Sequence, residues 1–117
     1  MTKKEYFQQL REQWKLAKEH ADTDAIKAIL QNHGLKISVY GFAFVQLQMK
    51  KHGFSGIPYL DCKTFKGWKE NGFIVKKGEK SKISGITWID IEKNDSGDSF
   101  KLPKEYKLFH RSQVKEL

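Results

Sequence analysis

The chain has 117 residues, of which 38% are hydrophobic, and a formal net charge of +8. This length is enough for one domain with a core of its own, and the apolar content excludes a wholly disordered chain. The excess of positive charge favours a polyanionic partner, and nucleic acid, an acidic membrane surface and an acidic protein all fit that description.

The sequence also predicts a compartment. Cys62 is the single cysteine, so no internal disulfide forms and a reducing environment is expected. Its thiol is expected to be an inert core group, although Lys63 beside it is able to activate it mildly. The polar start of the chain and the lack of any run of about 20 apolar residues predict a soluble, cytoplasmic protein without a membrane partner.

Two amphipathic helices are predicted for the first 37 residues. From about Lys3 to Ala21 apolar side chains recur at steps of three and four, which is the period of one helix face. Asp22-Thr23-Asp24 then supplies an N-cap for a second, short helix that ends before His33-Gly34. The two helices form a hairpin, in which Trp14 is expected to be core rather than a platform for bases.

The stretch from about Val39 to His52 is apolar on nearly every side. It is long enough for a helix, which Ser38 can cap and Gly53 can end. A strand is the competing interpretation, because the content of β-branched and aromatic residues is high. We expect a buried helix.

The rest of the chain is organised around a short helix that follows Thr64. The hydroxyl of Thr64 caps this helix, and Phe65 and Trp68 share one of its faces because they lie three residues apart. Gly72 ends the helix in a left-handed conformation.

Beyond this helix the sequence predicts antiparallel strands. The extended segments are Phe73–Val75, Ile83–Glu92 and, after Pro103, Tyr106–His110. They are joined by a tight turn at Lys77–Lys80 and a hairpin loop at Asn94–Ser99. Within the second segment two faces alternate: Ile86, Trp88, Asp90 and Glu92 on one, and Thr87, Ile89 and Ile91 on the other.

These elements predict an α+β fold in a single domain, residues 1–117. An N-terminal helical hairpin (residues 1–37) forms an extension. The remaining helices pack on a small antiparallel sheet within residues 38–117.

Lysines and aromatic rings are concentrated around the central helix. A stacking ring beside ammonium groups suits a single-stranded nucleic acid, because bases have flat faces and phosphates carry charge. The competing interpretation is that Phe65 and Trp68 are core and the lysines only solvate a surface. The lysines face only Glu70 and Glu79 in this stretch, and they are Lys63, Lys66, Lys69, Lys76, Lys77, Lys80 and Lys82.

The sequence contains no motif for catalysis. It has no glycine-rich phosphate loop, no Gly-x-Ser-x-Gly motif and no His-Glu-x-x-His pair. It also has no set of cysteines and histidines with the spacing of zinc ligands. We therefore expect a protein that is not an enzyme and that uses no cofactor and no metal.

Three motifs follow one another in an order that is typical of one family. They are a helix start at Tyr40–Val45, the Thr64–Lys80 segment with Gly72 and Val75, and an aromatic-rich closing strand at Tyr106–Val114. Together they resemble the N-terminal single-stranded-DNA-binding domain of ArdC-type antirestriction proteins, which occur on plasmids and phages. The resemblance covers roughly two-thirds of the chain. It implies that residues 38–117 are an ArdC-like nucleic-acid-binding core.

The chain also departs from the family pattern. Gly67 stands where the family usually has glutamine, which weakens the helix by about 1 kcal/mol relative to alanine. The usual Pro-Trp start is missing, and the N-terminal hairpin is particular to this protein. The zinc protease half of the family is absent from the sequence.

The resemblance implies a non-catalytic protein of a plasmid, phage or other mobile element that binds single-stranded DNA, with RNA as the alternative. The rings expected to stack on bases, about two of which are expected to be core instead, are Tyr40, Tyr59, Trp68 and Trp88. The groups expected to neutralise phosphates are Lys66, Lys69, Lys76, Lys77, Lys80, Lys82 and Arg111. Further polar contacts are expected from His110 and Gln113, and the competing interpretation of His110 is a strand-end histidine in water.

A second hypothesis comes from the same resemblance. It is a protein-binding inhibitor of a host restriction or CRISPR nuclease, with antirestriction or anti-CRISPR activity. The positive surface would then cover an acidic patch of the nuclease, or bind nucleic acid together with it.

Overall fold

The structure, a computed structural model, describes residues 1–93 and 98–117, and residues 92, 93, 98 and 99 are described by their backbone alone. Over these residues the chain is α+β, as predicted. The helices are α1 (Lys3–Glu19), α2 (Thr23–His33), α3 (Val39–Lys51) and α4 (Phe65–Glu70). The strands are β1 (Cys62–Lys63), β2 (Phe73–Val75), β3 (Ile83–Lys93), β4 (Asp98–His110) and β5 (Val114–Glu116). A 3-10 turn, Arg111–Gln113, joins β4 to β5.

Three helices begin at the caps that the sequence predicted. The side chains of Asp22, Ser38 and Thr64 each accept a hydrogen bond from the backbone N–H three residues on, at 3.1, 3.0 and 3.0 Å. Each bond satisfies a donor that has no partner within the helix. α3 confirms the helix, rather than the strand, after Ser38. Gly72 adopts the predicted left-handed conformation, with φ of 86°, and Gly34, which follows α2, does so too, with φ of 61°.

The two N-terminal helices pack against α3. Leu10 and Ala17 of α1 and Ile26 of α2 belong to the same buried cluster as Phe42 and Phe44 of α3. The first 37 residues therefore supply part of the main core. No helix in the described part of the chain has the length and apolar character needed to span a membrane.

Trp14 belongs to this core, as predicted. Its ring centroid lies 5.6 Å from that of Phe44 and 5.4 Å from that of Trp88, and it meets Trp88 at an interplanar angle of 82°. This edge-to-face arrangement is a favourable one for aromatic pairs. The half-buried ring of Trp88 therefore packs between the helices and the sheet.

The main sheet is antiparallel with the strand order β1-β4-β3, while β2 and β5 form a separate two-stranded ladder. Side chains alternate along β3 as predicted: Ile86 is buried and Trp88 half-buried, whereas Thr87 and Ile89 are exposed. The side chain of Glu92, predicted on the same face as Ile86, lies outside the described residues.

β4 is longer than predicted at its start. The sequence predicts a loop at Asn94–Ser99, but β4 already begins at Asp98. Residues 94–97 of that predicted loop lie outside the described residues.

The prediction that the last strand follows Pro103 is wrong, because Pro103 lies inside β4, opposite Trp88. The backbone N–H and C=O of Ser84 bond to the side chain of Gln48 and so point away from β4. Backbone groups of every second residue in a strand point to the same side, so those of Trp88, four residues after Ser84, also point away from β4. Pro103 lies opposite Trp88, and its nitrogen therefore points away from β3. A proline at this position removes no hydrogen bond between the two strands.

Gln48 of α3 covers the outer edge of β3. Its Nε2 donates to the carbonyl oxygen of Ser84 at 2.7 Å and to that of Phe44 at 3.2 Å. Its Oε1 accepts from the backbone N–H of Ser84 at 2.9 Å. One side chain therefore satisfies both backbone groups of Ser84, as a neighbouring strand would.

Cys62 lies in a second buried cluster, with Val45 and Leu108, and exposes 0% of its surface. Burial, with a smaller effect of the neighbouring Asp61, raises the pKa of the thiol to about 12. The thiolate is the reactive form, and at about pH 8 only roughly one thiol in ten thousand would be ionised. We expect an aromatic disulfide reagent to leave the native protein unreacted and to titrate one thiol per chain in guanidinium chloride. Rapid reaction of the native protein, read by absorbance, would contradict this burial.

Candidate nucleic-acid interface

Two segments that are far apart in the chain form one compact unit. β2 pairs antiparallel with β5, and α4 packs against β2. The backbone N–H of Lys76 donates to the carbonyl oxygen of Gln113 at 2.9 Å, and that of Leu117 donates to Gly72 at 3.0 Å. We use the name lysine unit for α4, β2, the turn Lys76–Lys80, the 3-10 turn and β5.

Trp68 is the anchor of the lysine unit and not a platform for bases. It is only 1% exposed, its indole N–H donates to the carbonyl oxygen of Phe109 at 2.7 Å, and its ring meets Phe73 edge-on at 5.3 Å. The cations of Lys63 and Arg111 lie 5.7 and 5.1 Å from the centroid of its ring. The prediction that Trp68 stacks on a base is therefore wrong, because the ring is sealed in the core.

The exposed ring of the lysine unit is that of Phe65, the first residue of α4, which is 50% exposed. Their spacing of three residues predicts that Phe65 and Trp68 share a helix face, but only Trp68 is buried. Phe65 is not among the rings predicted to stack on bases, although it is the exposed one. Lys69 lies four residues after Phe65 on α4, and this spacing places the exposed Lys69 side chain on the same helix face as the ring.

The predicted lysines of the lysine unit and Lys82 beyond it are all exposed. The ammonium group of Lys76 donates to the carbonyl oxygen of Ser112 at 3.1 Å. The other ammonium groups make no hydrogen bond or ion pair with any residue that the structure describes, and they belong to Lys66, Lys69, Lys77, Lys80 and Lys82. These charges are available to an outside anion.

Gln113 holds the lysine turn in place. It is 2% exposed, and its Nε2 donates to the carbonyl oxygen of Lys80 at 2.8 Å and to a carboxylate oxygen of Glu79 at 3.1 Å. Its Oε1 accepts from the backbone N–H of His110 at 2.9 Å. The prediction that Gln113 contacts nucleic acid is therefore wrong in this structure, because its amide is buried and bonds to other groups of the protein. Gln113 stands three residues after His110, which is the spacing of a capping box, although the N-cap here is a histidine and not the usual serine or threonine.

His110 is also structural, since it is only 7% exposed. Its Nε2 lies 2.7 Å from the carbonyl oxygen of Ser55, which can only accept, so Nε2 carries the proton. Its Nδ1 accepts from the backbone N–H of Ser112 at 3.2 Å. The ring stacks on Phe54 with a centroid distance of 4.4 Å. Both the predicted contact to nucleic acid and the alternative of a histidine in water are corrected by this burial.

Arg111 is half-exposed but is already paired. Its Nε lies 2.8 Å from a carboxylate oxygen of Asp61, and its Nη2 donates to the carbonyl oxygen of Leu60 at 3.1 Å. Burial opposes the ionisation of Asp61, but the hydrogen bonds from the Ile57 N–H and from Arg111 outweigh it, so the pKa of the carboxyl lies below its usual value. The stabilisation is fully present above the ordinary pKa of an aspartate and is lost as the pH falls through the lowered one. Arg111 therefore offers a phosphate less than an unpaired lysine does.

The remaining predicted rings lie elsewhere. The hydroxyl of Tyr59 lies 2.6 Å from that of Tyr106, and burial, followed by this hydrogen bond, raises the pKa of Tyr59. Tyr40 is half-buried at the start of α3, where the ammonium group of Lys18 lies 4.9 Å from its ring centroid. Of the predicted rings, Trp68 lies in the lysine unit with the predicted lysines but is buried, and the exposed ring of that unit is Phe65.

Comparisons with protein-family models, with curated proteins and with solved structures give no match. The resemblance to ArdC-type domains stays a prediction that depends on its motifs.

Proposed function

We propose that this protein binds single-stranded nucleic acid, with DNA as the expected form, through the lysine unit and without catalysing a reaction. The observation that carries the proposal is the half-exposed ring of Phe65 on the same short helix as unpaired lysines, a helix that the buried Trp68 anchors. Base stacking on such a ring tolerates any sequence, because every base has a flat face.

The charges of the lysine unit favour a polyanion. Four of its predicted lysines, and Lys115 besides, have no partner among the described side chains, whereas Glu79 accepts from the amide of Gln113. Each ammonium group that neutralises a phosphate releases a counterion, which drives binding at low salt.

The turn that carries two of these lysines is held in advance of binding. Gln113 bonds to Lys80 and Glu79, and the backbone N–H of Glu79 donates to Lys76 at 3.1 Å. Fixing the turn in the free protein lowers the conformational entropy lost when a ligand binds. The resemblance to ArdC-type domains supports the same function and suggests that the bound strand belongs to a mobile element.

Fluorescence anisotropy with a labelled oligonucleotide tests the proposal. Each phosphate neutralised on a single strand contributes about 0.7 to the slope of log affinity against log salt concentration. With four phosphates neutralised, the affinity should fall about 50-fold between roughly 50 and 200 mM salt. A ribonucleotide of the same sequence tests RNA against DNA. A salt-insensitive affinity would contradict the proposal. Retention of a nuclease from host lysate without any oligonucleotide signal would instead support the inhibitor hypothesis.

Replacing Phe65 by alanine tests the stacking ring. Stacking contributes about 1–3 kcal/mol per base, so the variant should bind roughly 5- to 150-fold more weakly. The salt slope should stay unchanged, since no charge is altered. Phe65→Trp should retain binding, and Leu16→Ala, which removes another exposed apolar side chain on α1, should have no effect. Equal affinities of Phe65→Ala and Leu16→Ala would show that Phe65 does not stack.

A further inference from the structure

A groove of about 440 Å³ lies where α1 and α3 meet the start of the β3–β4 pair. It is lined by Tyr6 from α1, Gln48 from α3 and side chains from both strands. It begins one residue after the lysine turn, at Ser81. Its volume lies within the range of about 300–1,000 Å³ that is typical of ligand clefts.

Most of the polar side chains of the groove already have partners inside the protein. Tyr6 donates to one oxygen of Glu105, and the hydroxyl of Ser84 donates to the other at 2.6 Å. The amide of Gln48 is occupied by the backbone of Ser84. The hydrogen bond to Glu105 raises the pKa of the Tyr6 phenol to about 12, so Tyr6 carries no charge at neutral pH.

The two remaining hydroxyl groups are engaged in the same way. The hydroxyl oxygen of Ser81 lies 2.8 Å from the carbonyl oxygens of both Ile83 and Leu108, which share its one proton. The hydroxyl of Tyr106 lies 2.6 Å from that of Tyr59. The groove therefore has few neutral polar groups to offer to a ligand.

Lys82 and Lys107 are the exception. Neither ammonium group bonds to another residue in the described ranges, and both side chains line the groove. Lys107 lies opposite Ser84 in the β3–β4 register, and Lys82 precedes β3 directly, so the two stand at the same end of the sheet.

The net charge of the side chains that line the groove determines which anion would match it best. Two lysines and the carboxylate of Glu105 leave one net positive charge. A phosphodiester carries one negative charge and matches it, whereas a terminal phosphate carries about two at neutral pH.

We propose that this groove holds a single phosphodiester group of the strand that the lysine unit binds, between Lys82 and Lys107. This inference rests on the proposed function and adds a position to the path of the strand. The groove follows the lysine turn in the chain, so the strand passes from Phe65 and the turn to the end of the main sheet. Glu105 limits occupancy to one phosphate.

The test compares two double variants by anisotropy over a salt series. Lys82→Gln with Lys107→Gln should bind more weakly than the control and lower the log–log salt slope by about 0.7, the value of one phosphate on a single strand. The control is Lys27→Gln with Lys36→Gln, which removes the same charge from exposed positions on α2 and after it. Glu105→Gln should bind about two- to fivefold more tightly, because a like charge near the phosphate is gone.

Each outcome separates this inference from the proposed function. If the unaltered protein does not bind the oligonucleotide, the proposed function and the inference fall together. If it binds and the Lys82/Lys107 variant matches the control, only the groove is overturned. A loss in slope of about 1.4 would show two phosphates and overturn the single site. Displacement of the oligonucleotide by inorganic phosphate at constant ionic strength, from the unaltered protein but not from the variant, would show a site for free phosphate and overturn the proposal.

Discussion

Replacement of Trp68 by alanine is expected to lower the free energy of unfolding by about 3–5 kcal/mol. Trp68 is the largest of the fully buried side chains that the structure describes, and its removal leaves a cavity between α4, β2 and the end of β4. It also leaves the carbonyl oxygen of Phe109 without its donor. A loss of this size is a large part of the roughly 5–15 kcal/mol that holds a domain folded. Urea denaturation followed by circular dichroism measures it.

Two further variants separate packing from hydrogen bonding. Trp68→Phe keeps an aromatic ring but not the indole N–H, and should lose about 1–3 kcal/mol for the unsatisfied carbonyl, besides the smaller ring volume. Phe65→Ala, on the exposed side of the same helix, should change the free energy of unfolding by no more than about 0.5 kcal/mol. If Trp68→Ala cost as little as Phe65→Ala, the assignment of Trp68 to the core would be wrong.

Reversing the charge of the lysine unit is expected to abolish oligonucleotide binding, with a loss of at least about 100-fold at low salt. The variant replaces Lys66, Lys69, Lys77 and Lys80 by glutamate. Each ammonium group is exposed and unpaired among the described residues, so the fold should be retained. The loss has two causes: counterion release from four phosphates disappears, and four carboxylates repel the strand.

The control for this variant has the same net charge. Replacing Lys15, Lys27, Lys36 and Lys50 by glutamate also lowers the net charge by two at each of four sites, so both variants go from +8 to zero. These lysines are exposed on the three N-terminal helices and the loop after α2. The control should keep most of its affinity. Equal losses in both variants would mean that the whole charge of the protein, and not the lysine unit, attracts the strand.

The helix caps could be predicted from the sequence because their cause is local. A cap hydroxyl or carboxylate reaches an N–H three residues away, and Asp22, Ser38 and Thr64 all do so. The left-handed glycines are equally local, since Gly34 and Gly72 need only their own lack of a side chain.

The burial of Trp68 rather than Phe65 could not be predicted in this way. A spacing of three residues places both rings near one side of α4, but it does not say which one meets the sheet. The partner of the Trp68 indole, the carbonyl of Phe109, lies 41 residues further along the chain. Only the tertiary fold brings that partner into place.

Gln113 and His110 were misassigned for a related reason. A polar side chain near a cluster of lysines suggests a surface contact, but both of these bond to backbone groups of distant segments. Gln113 reaches Lys80 across 33 residues, and His110 reaches Ser55 across 55. The extension of β4 back through Pro103 was missed because a proline disfavours a strand unless its nitrogen faces away from the neighbour.

The amide of Gln48 has a consequence for how the protein behaves at high concentration. β3 is rich in β-branched and aromatic residues, the composition of segments that recruit one another into cross-β fibrils. Such growth starts when a second chain bonds to free backbone groups along an uncovered edge. At Ser84 the backbone N–H and C=O already bond to the amide of Gln48. A second chain therefore cannot bond to β3 at this residue, which is one position fewer at which a fibril could begin on this strand.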